Sequence, residues 1–366
     1  MKSNQIEKLI NPHLSEIQSY DPVDPPDVLA RKAGMPTHKI IKLNGNENPY
    51  GASPKTLNAL NNLTPHVYPD PLQRKIRSAL QDYTGIESSH IIAGAGSDEL
   101  IDLLFRLFIK LGDNVLDCDP TFALYSFCAR LAGAETRMIP RTNLFDIDVP
   151  AIKRSIDSKT KLIFLSSPNN PTGNTVSISQ VLALLETDLI VVIDEAYYEF
   201  CNQSVSHLVP NHENLVVLRT LSKWAGLAGL RVGYGIMNPK IVDHLINIKP
   251  PYNVNVAAEA ALLASLKDTK FLLKNVGLII EERQRMFSLL KTFQGVKSWP
   301  SSGNYILCQF ESEIANKTYQ GLANQGVFVR KFDSNRLKDC FRVAIGTPAQ
   351  TDVFIDVLSE LMHDYN

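Results

Sequence analysis

Lys223 stands in TLSKWAGLAGLRVGY, residues 220–234, directly after the apolar run LVVLR at 215–219. Among such small neighbours its amine lies in a cleft and not in free solvent. A partly desolvated lysine can be neutral and nucleophilic, as condensation with a carbonyl requires. Arg231, further along the same segment, offers a guanidinium fork that suits a phosphate. Asp194 closes the run LIVVID, residues 189–194, so its carboxylate is buried and needs a partner. Tyr197 follows closely enough to serve the same place. Upstream, Gly96, Ser97 and Asp98 follow the run HIIAG at 90–94 and open a long helical pattern. Glycine admits a ligand close to the backbone, and a helix start offers unpaired N–H groups to an anion. The segment SPNNPTG, residues 167–173, is a rigid turn whose side-chain amides, Asn170 among them, can face a cleft.

Each piece alone has a plainer meaning: a surface lysine, a structural ion pair, a capped helix, a turn. Together they match pyridoxal phosphate. Its aldehyde needs an amine, which Lys223 gives. Its ring nitrogen must stay protonated to draw electrons, which a buried Asp194 enforces. Its phenolic oxygen needs donors, Tyr197 and Asn170, and its phosphate needs Ser97, Arg231 and backbone amides. A competing pattern is Gly94-x-Gly96 with Asp117 downstream, which imitates a dinucleotide fingerprint. The third glycine is missing, because Glu99 stands where it should fall.

The elements that must position these residues are short apolar runs alternating with helix-length segments. The runs are HIIAG (90–94), NVLDC (114–118), ETRMI (135–139), KLIFLS (161–166), LIVVID (189–194), LVVLR (215–219) and RVGYGI (231–236). Near-continuous Val, Ile and Leu is the texture of strands covered on both faces. The alternation predicts an α/β fold with an open, mostly parallel sheet of seven strands. Residues 20–54, rich in Pro, Asp and Asn, read as an extended arm and loop. After Pro250-Pro251 the texture changes to a long helix over 255–293, then short strands (NYILCQF, FRVAI) and a terminal helix. The expected division is an arm at 1–49 joining the small domain, a large domain at 50–255 and a small α+β domain at 256–366.

The 366 residues fit about two domains at ~150 residues each. Lys and Arg number 37 against 38 Asp and Glu, a net charge of −1, which gives no reason to expect nucleic acid or an anionic membrane as partner. Five widely spaced cysteines without a C-x-x-C pair argue against a disulfide framework and a structural zinc site, and fit a reducing compartment. The first residues lack an apolar core and carry Glu7 and Glu16, unlike a signal peptide. No run approaches the ~18 apolar residues of a spanning helix. The expectation is a cytoplasmic protein without a metal.

These segments resemble the class II, fold-type I, pyridoxal-phosphate-dependent aminotransferases, over nearly the whole chain. The resemblance rests on LNGNENPYGASP (43–54), VYPDP (67–71), GAGSDELID (94–102), CDPTFALY (118–125), SPNNPTG, DEAYYEF, TLSKWAGLAGLRVGYG, PYNVN (251–255), FVRKF and FRVAIGT. It is most specific to the branch acting on histidinol phosphate. The resemblance implies that Lys223 carries the cofactor and moves a proton as base and acid, with Asp194 on the ring nitrogen and Tyr197 and Asn170 on the ring oxygen. It implies that Gly96, Ser97, Asp98, Thr220, Ser222 and Arg231 hold the phosphate, that the arm joins a dimer interface, and that Tyr68 and Tyr20 reach across the homodimer, Tyr20 to the substrate's phosphate. Many relatives have Asn at Ala95 and Tyr at Phe122. A backbone contact tolerates the first, and a phenyl ring still stacks on the cofactor at the second.

For the substrates the resemblance implies Arg330 and Arg342. Arg342 would grip the carboxylate of glutamate, and both would accept the phosphate of histidinol phosphate, since guanidinium suits either anion. The expected reaction is L-histidinol phosphate plus 2-oxoglutarate to imidazole acetol phosphate plus L-glutamate. Related class II enzymes, a threonine-phosphate decarboxylase or an aromatic amino acid aminotransferase, share the cofactor residues and stand as alternatives. A nicotinamide dehydrogenase and a non-catalytic ligand sensor are the readings from other classes.

Overall fold

The computed structural model describes residues 4–363, apart from Glu16 and Gln18. Twelve strands are formed among them: β1 (Ile41–Leu43), β2 (Ile91–Gly94), β3 (Asn114–Asp119), β4 (Glu135–Pro140), β5 (Thr160–Ser166), β6 (Ile190–Asp194), β7 (Leu215–Thr220), β8 (Gly233–Ile236), β9 (Val296–Ser298), β10 (Tyr305–Phe310), β11 (Val327–Lys331) and β12 (Cys340–Ala344). Seven of them make one sheet in the order β2-β8-β7-β6-β5-β3-β4. Only β8 runs against its neighbours. The seven apolar runs of the sequence are these seven strands.

Both faces of the sheet are covered. Ile163, Val191, Ile193 and Val217 pack into one apolar cluster, while Leu162, Phe164, Val192 and Val216 pack into another. Successive side chains on a strand alternate in direction, so two covered faces require apolar residues at every position. Six strands share a direction, so their carboxyl ends open along one edge of the sheet, where ligands bind in such folds.

A second sheet has the order β1-β11-β12-β10-β9. β1, from the N-terminal arm, pairs in parallel with β11, Ile41 opposite Val327. The remaining pairings are antiparallel, and their register sets Arg330 directly opposite Arg342.

Two local expectations are corrected. Residues 20–54 are not extended throughout, since Pro26–Ala33 is a helix. Pro26 fixes φ at the first helical turn, Leu29 and Ala30 are buried, and Gly34 ends the helix at φ 64°. The long helix over 255–293 is two helices, Val256–Leu266 and Thr269–Leu290. Lys55 fastens the break, donating to the Lys267 carbonyl at 3.2 Å and pairing with Asp268 at 3.1 Å.

Candidate active site

The carboxyl ends of β2, β5, β6 and β7 face the arm and the second sheet across a cavity of about 770 Å³. Tyr20, Ser97, Asp98, Phe122, Asn170, Asp194, Tyr197, Thr220, Ser222, Lys223, Arg231, Arg330 and Arg342 all line it. Gly96 lies behind the wall, against Arg231. Tyr68 alone among the expected residues is elsewhere: it is 76% exposed and stacks on Tyr252 at 4.3 Å.

Asp194, the last residue of β6, is buried at the floor. Its Oδ2 accepts from Tyr125 Oη at 2.6 Å and its Oδ1 from the Ala196 N–H at 3.0 Å. Burial pushes its pKa up to about 6, and those two hydrogen bonds hold it down against the further push of Asp98 and Glu195. Lys223 follows β7 and is half-buried, with Nζ 3.4 Å from the Gly45 carbonyl. Burial, then the nearby charge of Arg342, lowers its pKa to about 8. The neutral amine is therefore well populated near physiological pH.

Tyr197 Oη accepts from Asn46 Nδ2 at 3.0 Å, which leaves its own proton free to donate. Burial raises its pKa to about 12, so that proton is kept. Asn170 Oδ1 accepts from Arg342 Nη1 at 2.6 Å, which leaves the amide Nδ2 as its donor. Two donors thus converge beside a buried carboxylate.

The opposite wall is built for an anion. The helix Ser97–Phe108 begins here, and its first N–H groups have no partner within the helix. Gly96 has φ 80°, and a Cβ on it would lie 2.5 Å from Arg231 Nη2, so only glycine fits. Thr220 Oγ1 donates to Ser222 Oγ at 2.9 Å, Arg231 Nη1 donates to Ser222 Oγ at 3.3 Å, and Arg231 Nη2 pairs with Asp98 at 2.8 Å.

At the outer wall Arg342 is buried and donates to Asn170 and, from Nη2, to the Asn44 carbonyl at 2.6 Å. Its Nε has no partner, and neither have the Oδ1 atoms of Asn44 and Asn46. Buried polar atoms in native proteins are normally satisfied, so orphans lining one cavity point to a polar ligand. Arg330 is part-buried and meets Asp21 twice, at its carbonyl and its carboxylate, both at 2.9 Å. Two arginines opposite each other in a sheet repel unless an anion joins them.

In the single chain Tyr20 lies at its own pocket, its ring 6.2 Å from Phe122 and 6.4 Å from Phe127. The dinucleotide pattern fails. Asp117 lies buried on β3, and β3 is not adjacent to β2, which carries Gly94. Sequence reasoning missed Asn46 as the partner of Tyr197 and Tyr125 as that of Asp194. Asn46 sits within the quoted segment LNGNENPYGASP, where three asparagines in six residues were the available signal.

Amine, buried carboxylate, two convergent donors and an anion cradle fit pyridoxal phosphate group by group. Comparisons with known proteins agree. The family described as aminotransferase class I and II matches residues 38–358. A histidinol-phosphate aminotransferase of Roseiflexus castenholzii is 45% identical over 363 residues, covering 96% of this chain and 98% of that protein. Histidinol-phosphate aminotransferase 1 of Arabidopsis thaliana, chloroplastic, is 44% identical over 97% of this chain and 86% of its own length. Among solved structures, the Sinorhizobium meliloti histidinol-phosphate aminotransferase in complex with pyridoxal-5'-phosphate superposes with a TM-score of 0.89 at 23% identity, over 98% of both chains. The chain belongs to the class I and II aminotransferases, in the histidinol-phosphate aminotransferase branch of that family.

Proposed function

We propose that the protein transfers an amino group from L-histidinol phosphate to 2-oxoglutarate, giving imidazole acetol phosphate and L-glutamate, and works in histidine biosynthesis. The observation that carries this reading is the placement of Lys223 and Asp194 in the same cavity as the paired arginines 330 and 342. Bound pyridoxal phosphate supplies the electron sink for the bond broken at the amino-bearing carbon. Asp194 keeps the ring nitrogen protonated, and Tyr197 and Asn170 donate to the ring oxygen. The amides of Ser97 and Asp98, with Gly96, Thr220, Ser222 and Arg231, hold the phosphate. Phe122 packs on the ring face.

Lys223 would hold the cofactor through its aldehyde, and once the substrate's amine displaces it, the freed Nζ would take the proton from the substrate's amino-bearing carbon and deliver it to the cofactor. Arg342 binds the carboxylate of glutamate, and both Arg330 and Arg342, with Tyr20, accept the phosphate of histidinol phosphate. One anion site then serves both half-reactions of a ping-pong cycle.

The working unit is read as a homodimer in the cytoplasm. Val67, Tyr68, Leu72 and Tyr252 are exposed side by side in sequence or by stacking, an apolar face that a second copy would cover while bringing Tyr68 to its pocket. Among the described residues no helix is long and apolar enough to cross a membrane. The division into an arm (1–49), a large domain (50–255) and a small domain (256–366) is supported by the two separate sheets.

The test is product formation. Purified protein with pyridoxal phosphate should form L-glutamate from L-histidinol phosphate and 2-oxoglutarate far faster than from phenylalanine. Carbon dioxide release from threonine phosphate at a comparable rate, without glutamate, would replace this reading with a decarboxylase.

A further inference from the structure

Tyr125 belongs to none of the groups assigned above, yet it holds the floor of the site. It lies on the helix Leu124–Leu131, wholly buried, and donates from Oη to Asp194 Oδ2 at 2.6 Å. Its ring is fixed by stacking on Phe164 of β5 at 4.9 Å and by the edge of Phe122 at 5.7 Å. Burial and the adjacent carboxylate push its pKa well above the ordinary tyrosine value, so the phenol is a permanent donor. The alternation that sends Val192 to one face of β6 sends Asp194 the same way, toward this helix.

We propose that Tyr125 is a positioning residue, whose hydroxyl binds one oxygen of Asp194 so that the carboxylate stays charged and keeps its aim at the cofactor's ring nitrogen. The inference rests on the role of Asp194 proposed above. A buried carboxylate is a stronger base than an exposed one, and a strong base at that place takes the ring proton for itself. Asp98 and Glu195 act in that same direction, and only the hydroxyl of Tyr125 and the N–H of Ala196 oppose them through hydrogen bonds. The two Asp194 oxygens are thus held by two donors on different elements, a side chain and a backbone turn.

The experiment compares wild type with Tyr125→Phe, both loaded with pyridoxal phosphate carrying an isotope-labelled ring nitrogen. Phenylalanine keeps the ring packing and removes one oxygen. The nitrogen resonance should move from the protonated toward the unprotonated position, kcat should fall about 10-fold, the scale of one hydrogen bond to a charged group, and KM should stay level. A ring-fluorinated tyrosine at position 125, a stronger donor of nearly the same shape, should move the resonance the opposite way, and it covers the case in which Tyr125→Phe folds poorly. A resonance unmoved in these variants, with kcat retained, overturns the proposal even if the melting temperature drops, because packing alone would do that. Wild type that takes up no cofactor would overturn the reading of the site itself.

Discussion

The two walls of the pocket are built differently. The inner wall, from Asp194, Tyr197, Thr220, Ser222 and Ser97, comes from strand ends and a helix start of the large sheet, and the side chains of Asp194, Tyr197, Thr220 and Ser222 already have partners within the chain. The outer wall, from Tyr20, Asp21 and Arg330, joins β11 to the arm through an ion pair whose Asp21 side chain is 81% exposed. Rigid elements hold catalytic groups to narrow tolerances, whereas loops adapt to what they bind. Chemistry is therefore assigned to the inner wall and substrate choice to the outer one, with buried Arg342 as the joint between them.

Substitutions can break that division. Lys223→Ala should remove at least about 1,000-fold of turnover, because covalent capture and proton transfer are both lost. Single-turnover product formation measures it, and full retained rate would end the assignment. Asp194→Asn should cost about 100-fold in kcat with little change in KM, the scale of one preorganised electrostatic group. Arg342→Lys should raise KM for both glutamate and histidinol phosphate about 10-fold or more, since a point charge replaces a fork already anchored on Asn170. Asp21→Asn, at the outer rim, should change KM for histidinol phosphate by a few-fold at most, because exposed pairs contribute little. A kcat effect from Asp21 larger than that from Asp194 would reverse the division of labour.

The pH dependence carries a sign. Lys223 has its pKa lowered to about 8 in the folded apoprotein, so the unfolded chain binds more protons above that value. Stability of the apoprotein should therefore gain from this residue as pH rises from about 8 toward the ordinary lysine value, and the penalty is fully present below. The rate at which apoprotein captures pyridoxal phosphate should rise as pH approaches 8 and level above it. Stopped-flow absorbance at several pH values reads this directly, and a rate flat in pH would mean the amine is not the limiting group.

The large sheet was legible because its central strands, β5, β6 and β7, are near-continuous apolar runs separated by helix-length segments, which few turns or amphipathic helices imitate. Lys223, Asp194 and Arg231 were legible because each lies at or close to the end of such a run: Asp194 closes β6, Lys223 stands just past β7 and Arg231 just before β8. The helix Pro26–Ala33 was not, since prolines and acids that start a helix also spell a loop. Tyr125 and Asn46 were not, because their partners lie 69 and 151 residues away in sequence and no local pattern encodes a distant hydrogen bond.

The most direct measurement is the visible absorption spectrum of the purified protein with pyridoxal phosphate, before and after adding L-histidinol phosphate without any keto acid. A band from lysine-bound cofactor should be present and should disappear as pyridoxamine phosphate forms, and no such band should form in Lys223→Ala. A band unchanged by histidinol phosphate would contradict the substrate assignment, and no band in wild type would contradict pyridoxal phosphate held by Lys223.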